Sequence, residues 1–416
     1  MKRFLPQSVF ARNVLILASG TTLAQAIPIL VSPLLTRIYT PEEFGIFAFY
    51  MAILSILSVI ATARYELAVM LPKDDIEAAN LLMLSFSIAI LFSLLIFSFL
   101  LLLSIDNLIL FLLPISIFLT GIFQALTYWN NRTRKFSNLS TSKLLNSLVM
   151  ISAQVILGLT KISNYGLFLG FILGQIAGVI ALIAFQYSSL IKYKTHINIK
   201  LIKSMADTHK DKPLLSTLGG LIDSIAYQVP TLAVTHLFGL SSIGFYNFAS
   251  RTINIPLSLI GSAIGQVSFQ HIARLSENDP PMIEVFVKKT LILMLAFSVP
   301  VFLLLSFTID HLFAFIFGEA WREAGHYAAL MCIPAIVRFP ASPLSVVFLL
   351  KENTRIGVYW QISHIFFISI GIFISWLLKL DTWYFACIII TIDFIIYSFY
   401  LFLILKTSKS KIKEKL

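Results

Sequence analysis

The sequence predicts an all-α membrane protein of about twelve transmembrane helices, arranged as two pseudo-symmetric lobes of about six helices around a central cavity. Three observations predict it. First, 58% of the 416 residues are hydrophobic and only 12% are charged. Soluble domains carry roughly a quarter charged residues, and a fold of this length could not hide so much apolar surface from water. Second, apolar runs of about 20 residues recur along the whole chain, the length a helix needs to cross the hydrocarbon layer. Barrel strands would be half as long and alternating, so a β-barrel is excluded. Third, the chain reads as two similar halves joined by a polar linker.

The elements follow in order. Met1-Lys2-Arg3-Phe4 is not followed by a short apolar core with a small-residue cleavage site, so no removable signal peptide is expected. Residues 2–12 suit a short amphipathic lead-in. Spans are expected near 13–35, 45–68, 79–103, 108–130, 139–160 and 165–187 in the first half. In the second half they fall near 214–239, 242–269, 288–309, 323–349, 355–378 and 382–405. The first break, "SPLLTRIYTPEEFGIFAFY", is a tight turn. Pro41 suits a first helical position, and Glu42 and Glu43 complement the positive end of the helix dipole. "EEFGIFAFY" opens the second span and "SSIGFYNFA" the eighth, with Gly45 against Gly244, Phe47 against Tyr246 and Phe49 against Phe248 at one constant offset. Between the halves, Ser188 to Lys212 carries Ile197, Leu201, Ile202 and Met205 at helical spacing among lysines, as in a helix lying on a membrane surface. The expected domains are therefore 1–205, a lobe plus the linker helix, and 206–416, a second lobe with a basic tail. They form a parallel duplication about the membrane normal.

The net charge of +11 reflects topology. With an even number of spans both termini share a side. That side holds about 24 of the 31 basic residues, Lys143 and the tail lysines among them, against Arg37, Lys161, Arg322 and Lys379 opposite. By the positive-inside rule both termini are cytoplasmic, with the tail beside anionic lipid. Aromatic and basic residues do not interleave as they do in nucleic-acid binders, so no nucleic-acid partner is expected. Cys332 and Cys387 sit in apolar runs and read as small buried hydrophobes. No phosphate-binding glycine loop, metal-ligand cluster or nucleophile elbow occurs, so neither an enzyme nor a cofactor is expected.

Polar side chains in lipid are costly, so stripes of them face protein or water. Span one carries Ser19, Thr22, Gln25, Ser32 and Thr36; span four carries Thr120, Gln124, Thr127 and Asn131. Span seven carries Gly219, Asp223 and Tyr227, and span eight the longest stripe: Asn247, Arg251, Asn254, Ser258, Ser262 and Gln266. Their three- and four-residue spacing keeps each stripe on one face. Stripes drawn from both halves fit a hydrated central cavity. Arg64, Arg251 and Arg338 lie at membrane depth, where charges cost about 2.5–3.5 kcal/mol on insertion scales. With Asn247, Asn254, Gln266, Gln25 and Gln124 they are the candidate contacts for an anionic substrate. Asp223, Asp393 and Glu66 are candidates for ion coupling, or for ion pairs with those arginines. His364 reads as a hydrogen-bonded packing residue.

Four stretches carry a family resemblance: "LLTRIYTPEEFGIFAFY", "ARYELAVMLPKDDIEAANLL", "GFYNFASRTINIPLSLIGSAIGQVSFQHIARL" and "FIFGEAWREAGHYAALM". The chain resembles the O-antigen and capsular polysaccharide flippases of the multidrug/oligosaccharidyl-lipid/polysaccharide exporter superfamily. The resemblance implies a MATE-like fold that moves undecaprenyl-pyrophosphate-linked oligosaccharide to the periplasmic leaflet by alternating access, without hydrolysing ATP. It implies a lipid-linked oligosaccharide substrate, membrane lipids, and a polysaccharide polymerase and chain-length regulator as partners. The coupling ion, proton or sodium, is left open. A drug or small-molecule exporter on the same scaffold is one alternative; a membrane-embedded polysaccharide polymerase or ligase is another. The three deep arginines favour an anionic cargo, and no external loop has the length such enzymes use for catalytic residues.

Overall fold

The computed structural model describes residues 9–104, 107–160, 163–278, 281–349 and 354–410. Among them there is no strand. The first half contains α1 (Val9–Ile38), α2 (Pro41–Ile60), the short α3 (Tyr65–Ala68), α4 (Asp75–Leu102), the short α5 (Leu108–Phe111), α6 (Leu113–Arg132), α7 (Phe136–Gly158) and α8 (Ser163–Lys194). The linker helix is α9 (Ile199–His209). The second half contains α10 (Asp211–Phe238), α11 (Leu240–Asn278), α12 (Pro281–Phe317), α13 (Arg322–Leu344), α14 (Thr354–Leu377) and α15 (Thr382–Ser410). Eleven helices among the described residues are long and apolar enough to cross a membrane. The twelfth expected span is α10, which is 28 residues long but carries Asp211, Asp223, His236 and an internal Pro230.

Two compact units divide the chain: Met1–Tyr39 with Ile46–Gln228, and Thr40–Gly45 with Val229–Leu416. In the first, α7 packs between α1 and α8, and α6 packs against α4 and α8. In the second, α13 packs against α11, α12 and α15, while α14 packs on α15. The pairings correspond. The third and fourth long helices of each half meet (α4 with α6, α12 with α13). So do the fourth and sixth (α6 with α8, α13 with α15) and the fifth and sixth (α7 with α8, α14 with α15). The second unit also sets Ala233, His236 and Leu237 of α10 beside Ser369, Ile372 and Phe373 of α14, the counterpart of the α1–α7 contact.

Helix ends follow from local chemistry. Thr40 and Glu43 form a reciprocal cap on α2: Glu43 Oε2 accepts from the Thr40 amide at 2.7 Å, and Thr40 Oγ1 accepts from the Glu43 amide at 3.3 Å. Asp74 caps α4 and Asn198 caps α9, each accepting from the amide two residues on. The linker helix is tied down rather than merely resting on a surface. Met205 is buried in a cluster with Ala68, Val69, Leu82 and Trp129, and Asn80 bonds both the His196 carbonyl and the Asn198 amide.

The second expected span is shorter than the apolar run suggests. α2 ends at Ile60, and Ala63 and Arg64 adopt left-handed φ values of 47° and 59° before α3 begins. Arg64 and Glu66 therefore sit on a reversal beyond the helix, not along it. The run "ATARYELA" holds no glycine or proline to mark the break.

The echoed glycines have a direct structural role, contained in the second unit. A Cβ on Gly45 would lie 1.8 Å from the Leu240 carbonyl oxygen, and one on Gly244 would lie 1.9 Å from the Pro41 carbonyl oxygen. The first turns of α2 and α11 cross backbone to backbone there, a separation that only glycine permits. Phe44 seals the crossing, edge-on to Phe248 at 5.6 Å and to Trp321 at 5.0 Å.

Candidate functional site

In the first unit the polar centre is the reversal after α2. Glu66 is 1% exposed, and its carboxylate accepts a short hydrogen bond from Thr62 Oγ1. Arg64 Nη1 stands 3.8 Å from Glu66 Oε1, while the buried Arg64 Nε has no hydrogen-bond partner. The guanidinium lies over Gly220 of α10, where a Cβ would come within 2.6 Å of Nη2. Gly220 is thus a space-maker for the arginine. Tyr128 of α6 is within electrostatic reach of both charges. Burial raises the Glu66 pKa, with the Thr62 bond and Arg64 opposing the shift.

The remaining candidates of this unit are more dispersed. Gln25 is exposed on α1, as are Ser19 and Thr22, but Ser32 and Thr36 are buried and donate to the Ile29 and Pro33 carbonyls of their own helix. The stripe on α1 therefore divides, and its second half compensates a helix that carries Pro28 and Pro33. Gln124 is half-buried on α6, and Asp223 is exposed on α10.

In the second unit the structure brings together two candidates, Arg338 and Asp393, with His364 from a third helix. Asp393 of α15 accepts from His364 Nε2 at 2.8 Å through one oxygen, and its other oxygen lies 3.6 Å from Arg338 Nη1. The Arg338 guanidinium lies over the Tyr397 ring, 5.1 Å from its centroid. His364 stacks on Trp360 at 5.4 Å and 10°, and Trp360 stacks on Tyr400 at 4.0 Å. The Trp360 indole N–H reaches the Ile396 carbonyl at 3.2 Å. The carboxylate is thus shared between a permanent cation and an imidazole. His364 is more than a packing residue: it is a partner of the ion pair. The sequence could not show this, because the groups come from three helices.

The α11 stripe is exposed at Arg251, Ser258 and Ser262 and half-buried at Asn247 and Asn254. Asn254 donates to Ser250 Oγ at 2.9 Å, and Arg251 has interactions of its own. Gln266 lies on the same helix, with its side chain outside the described residues. Two groups were not singled out from sequence. Gln186 is fully buried and ties Asn130, Thr133 and Lys135 together. Lys143, counted with the cytoplasmic loop residues, is the eighth residue of α7 and lies inside the span Phe136–Gly158. The cluster of basic residues just before it masks this in the sequence.

The fold defines the class, a multi-span helical membrane protein. The chain is similar over 96% of its length to the lipid II flippase MurJ in an inward closed conformation, at 16% identity and a TM-score of 0.69 over 88% of that chain. It is similar to an outward-facing multidrug resistance MATE family transporter of the MOP superfamily at 13% identity and a TM-score of 0.57, covering 97% of each chain. A MOP superfamily transporter from Pyrococcus furiosus, described as having a binding pocket of reversed polarity, aligns at 12% identity with a TM-score of 0.55, covering 97% of this chain and 96% of that one. The particular family follows from the sequence: the chain belongs to the polysaccharide biosynthesis protein family, which matches residues 34–326. The teichuronic acid biosynthesis protein TuaB of Bacillus subtilis (strain 168) is 24% identical over 153 residues, 37% of this chain and 32% of that relative. The match thus spans about a third of the curated relative's length.

Proposed function

We propose that the protein is a flippase that carries undecaprenyl-pyrophosphate-linked oligosaccharide repeat units from the cytoplasmic to the periplasmic leaflet by alternating access, as O-antigen or capsule flippases do. The observation that carries this reading is the position of Arg251 and Arg338 inside membrane-spanning helices, with Arg64 on the reversal after α2, in a chain of the polysaccharide biosynthesis family. Arg64 has a donor left unbonded, and Arg338 shares its carboxylate with His364. A sugar pyrophosphate cannot cross hydrocarbon unaided, and guanidinium groups match phosphate oxygens with paired donors.

In this reading Arg251, Arg338 and Arg64 contact the anionic headgroup, with Asn247, Asn254, Gln266, Gln25 and Gln124 offering amide partners to the sugar. Asp393, Asp223 and Glu66 exchange partners as the coupling ion binds or leaves. The protein works in the bacterial inner membrane with both termini in the cytoplasm, handing repeat units to a polymerase and chain-length regulator. The halves 1–205 and 206–416 descend from one duplicated unit.

The test is reconstitution of the full chain in proteoliposomes holding fluorescent undecaprenyl-pyrophosphate oligosaccharide, with leaflet exchange read by an impermeant quencher. Protein-dependent exchange of the pyrophosphate lipid, absent for a neutral prenyl glycoside, is expected. Export of small cations with no lipid exchange would replace the reading by the drug exporter.

A further inference from the structure

Lys143 is a cation that the charge groups described above do not involve. It lies about 10 Å into α7, from seven residues at about 1.5 Å each, within a membrane-spanning helix. Its side chain is half-buried, and its ammonium donates to Thr21 Oγ1 of α1 at 3.1 Å. Among the described residues no carboxylate stands within ion-pair distance of it. An ammonium has three donors, so one hydroxyl leaves it under-coordinated.

The α1–α7 seam holds the group in place. A Cβ at Gly20 would lie 2.4 Å from the Ser140 side chain, so the helices touch one turn before Lys143. One turn beyond it, Ser147 Oγ donates to the Ala24 carbonyl at 2.5 Å. On the other side, buried Ser142 donates to the Gly178 carbonyl of α8 at 2.7 Å. Lys143 reaches across to Thr21 of α1 between these fixed contacts. Gln25, one turn along α1 from Thr21, is exposed and lies on the same helix face.

A pinned, uncompensated cation at such depth fits no packing role that a methionine would not fill at lower cost. We propose that Lys143 is an anion-binding residue of the first unit that takes phosphate oxygens of the lipid-linked cargo, with Thr21 and Gln25 beside it. This rests on the flippase reading. The phosphate is favoured over an acidic sugar because every such cargo carries it, whatever its sugars.

The test uses the full chain in nanodiscs, with native mass spectrometry reading binding of farnesyl pyrophosphate, farnesol, octyl glucuronide and octyl glucoside. Wild type should prefer the pyrophosphate over farnesol by about tenfold or more. Lys143→Met should reduce that preference to about twofold, and Lys143→Arg should keep most of it. In parallel, farnesyl pyrophosphate should slow modification of Lys143 by a membrane-permeant amine reagent in wild-type protein, a readout that needs no folded variant. A Lys143→Met protein with the wild-type preference, or an unprotected Lys143, overturns the proposal and leaves the flippase reading standing. Wild type with no preference for the pyrophosphate fails that reading itself. Protection by the glucuronide alone overturns the phosphate assignment.

Discussion

Glu66 is 1% exposed beside Thr62 and Arg64, and burial raises its pKa above the ordinary 4.5. A carboxyl whose folded pKa is raised favours the fold while protonated, and that contribution is lost as pH rises through the folded value. Glu66→Gln, which mimics the protonated form, should therefore match wild type in thermal melts below about pH 4.5, gain relative to it as pH rises from there through the folded pKa, and keep a constant advantage above it. A variant that falls behind wild type with rising pH would show that the Arg64 pairing outweighs desolvation. Asp393 predicts the opposite pattern at neutral pH. Asp393→Asn leaves Arg338 without a carboxylate that now stands 3.6 Å away and should lower stability by about 1–3 kcal/mol, discounted for partial exposure. Converting both partners, Arg338→Met with Asp393→Leu, should recover part of that loss in a double-mutant cycle of melting temperatures. The charges themselves were legible in the sequence because any ionisable residue in an apolar run stands out. Their partners were not, because Arg338, His364 and Asp393 meet only through helix packing.

Element by element, the long helices are legible wherever an apolar run of about 20 residues is bounded by caps or charges. The reversal at Ala63 and Arg64 is not, because tertiary contacts there override the helical preference of "ATARYELA". Arg132 at the end of α6 stitches the chain after α3. It donates to the carbonyls of Val69 at 3.0 Å and Pro72 at 2.8 Å, and to Asp75 at 2.9 Å. Arg132→Ala strands these acceptors and should cost about 2–3 kcal/mol. Arg132→Lys should recover only a fraction, because an ammonium lacks the planar fork. Melting of the purified variants checks both. The α2–α11 crossing makes a stronger prediction: Gly45→Ala and Gly244→Ala should each destabilise by more than the 1–3 kcal/mol of ordinary overpacking, because each new methyl meets backbone. Fluorescence-detected size exclusion should show aggregated or depleted protein for both.

At the scale of the molecule, the described helices comprise an even set of twelve that are 20 residues or longer, and corresponding helix pairings recur in the two units. The topology is tested with single cysteines after replacing Cys332 and Cys387. Ser204→Cys, on the linker helix, and Lys379→Cys, in the turn between α14 and α15, should react with an impermeant thiol reagent from opposite faces of sealed membranes. Reaction from one face would undo the cytoplasmic assignment of both termini.

The glycine crossing also has a genetic consequence. A clash between side chains can be relieved by shrinking the neighbour, but an alanine at 45 presses on the main chain of Leu240, and the facing residue at 244 already has no side chain to lose. A search for revertants of Gly45→Ala should return the original codon, or changes that reposition the start of α11, and never a compensating replacement at Gly244.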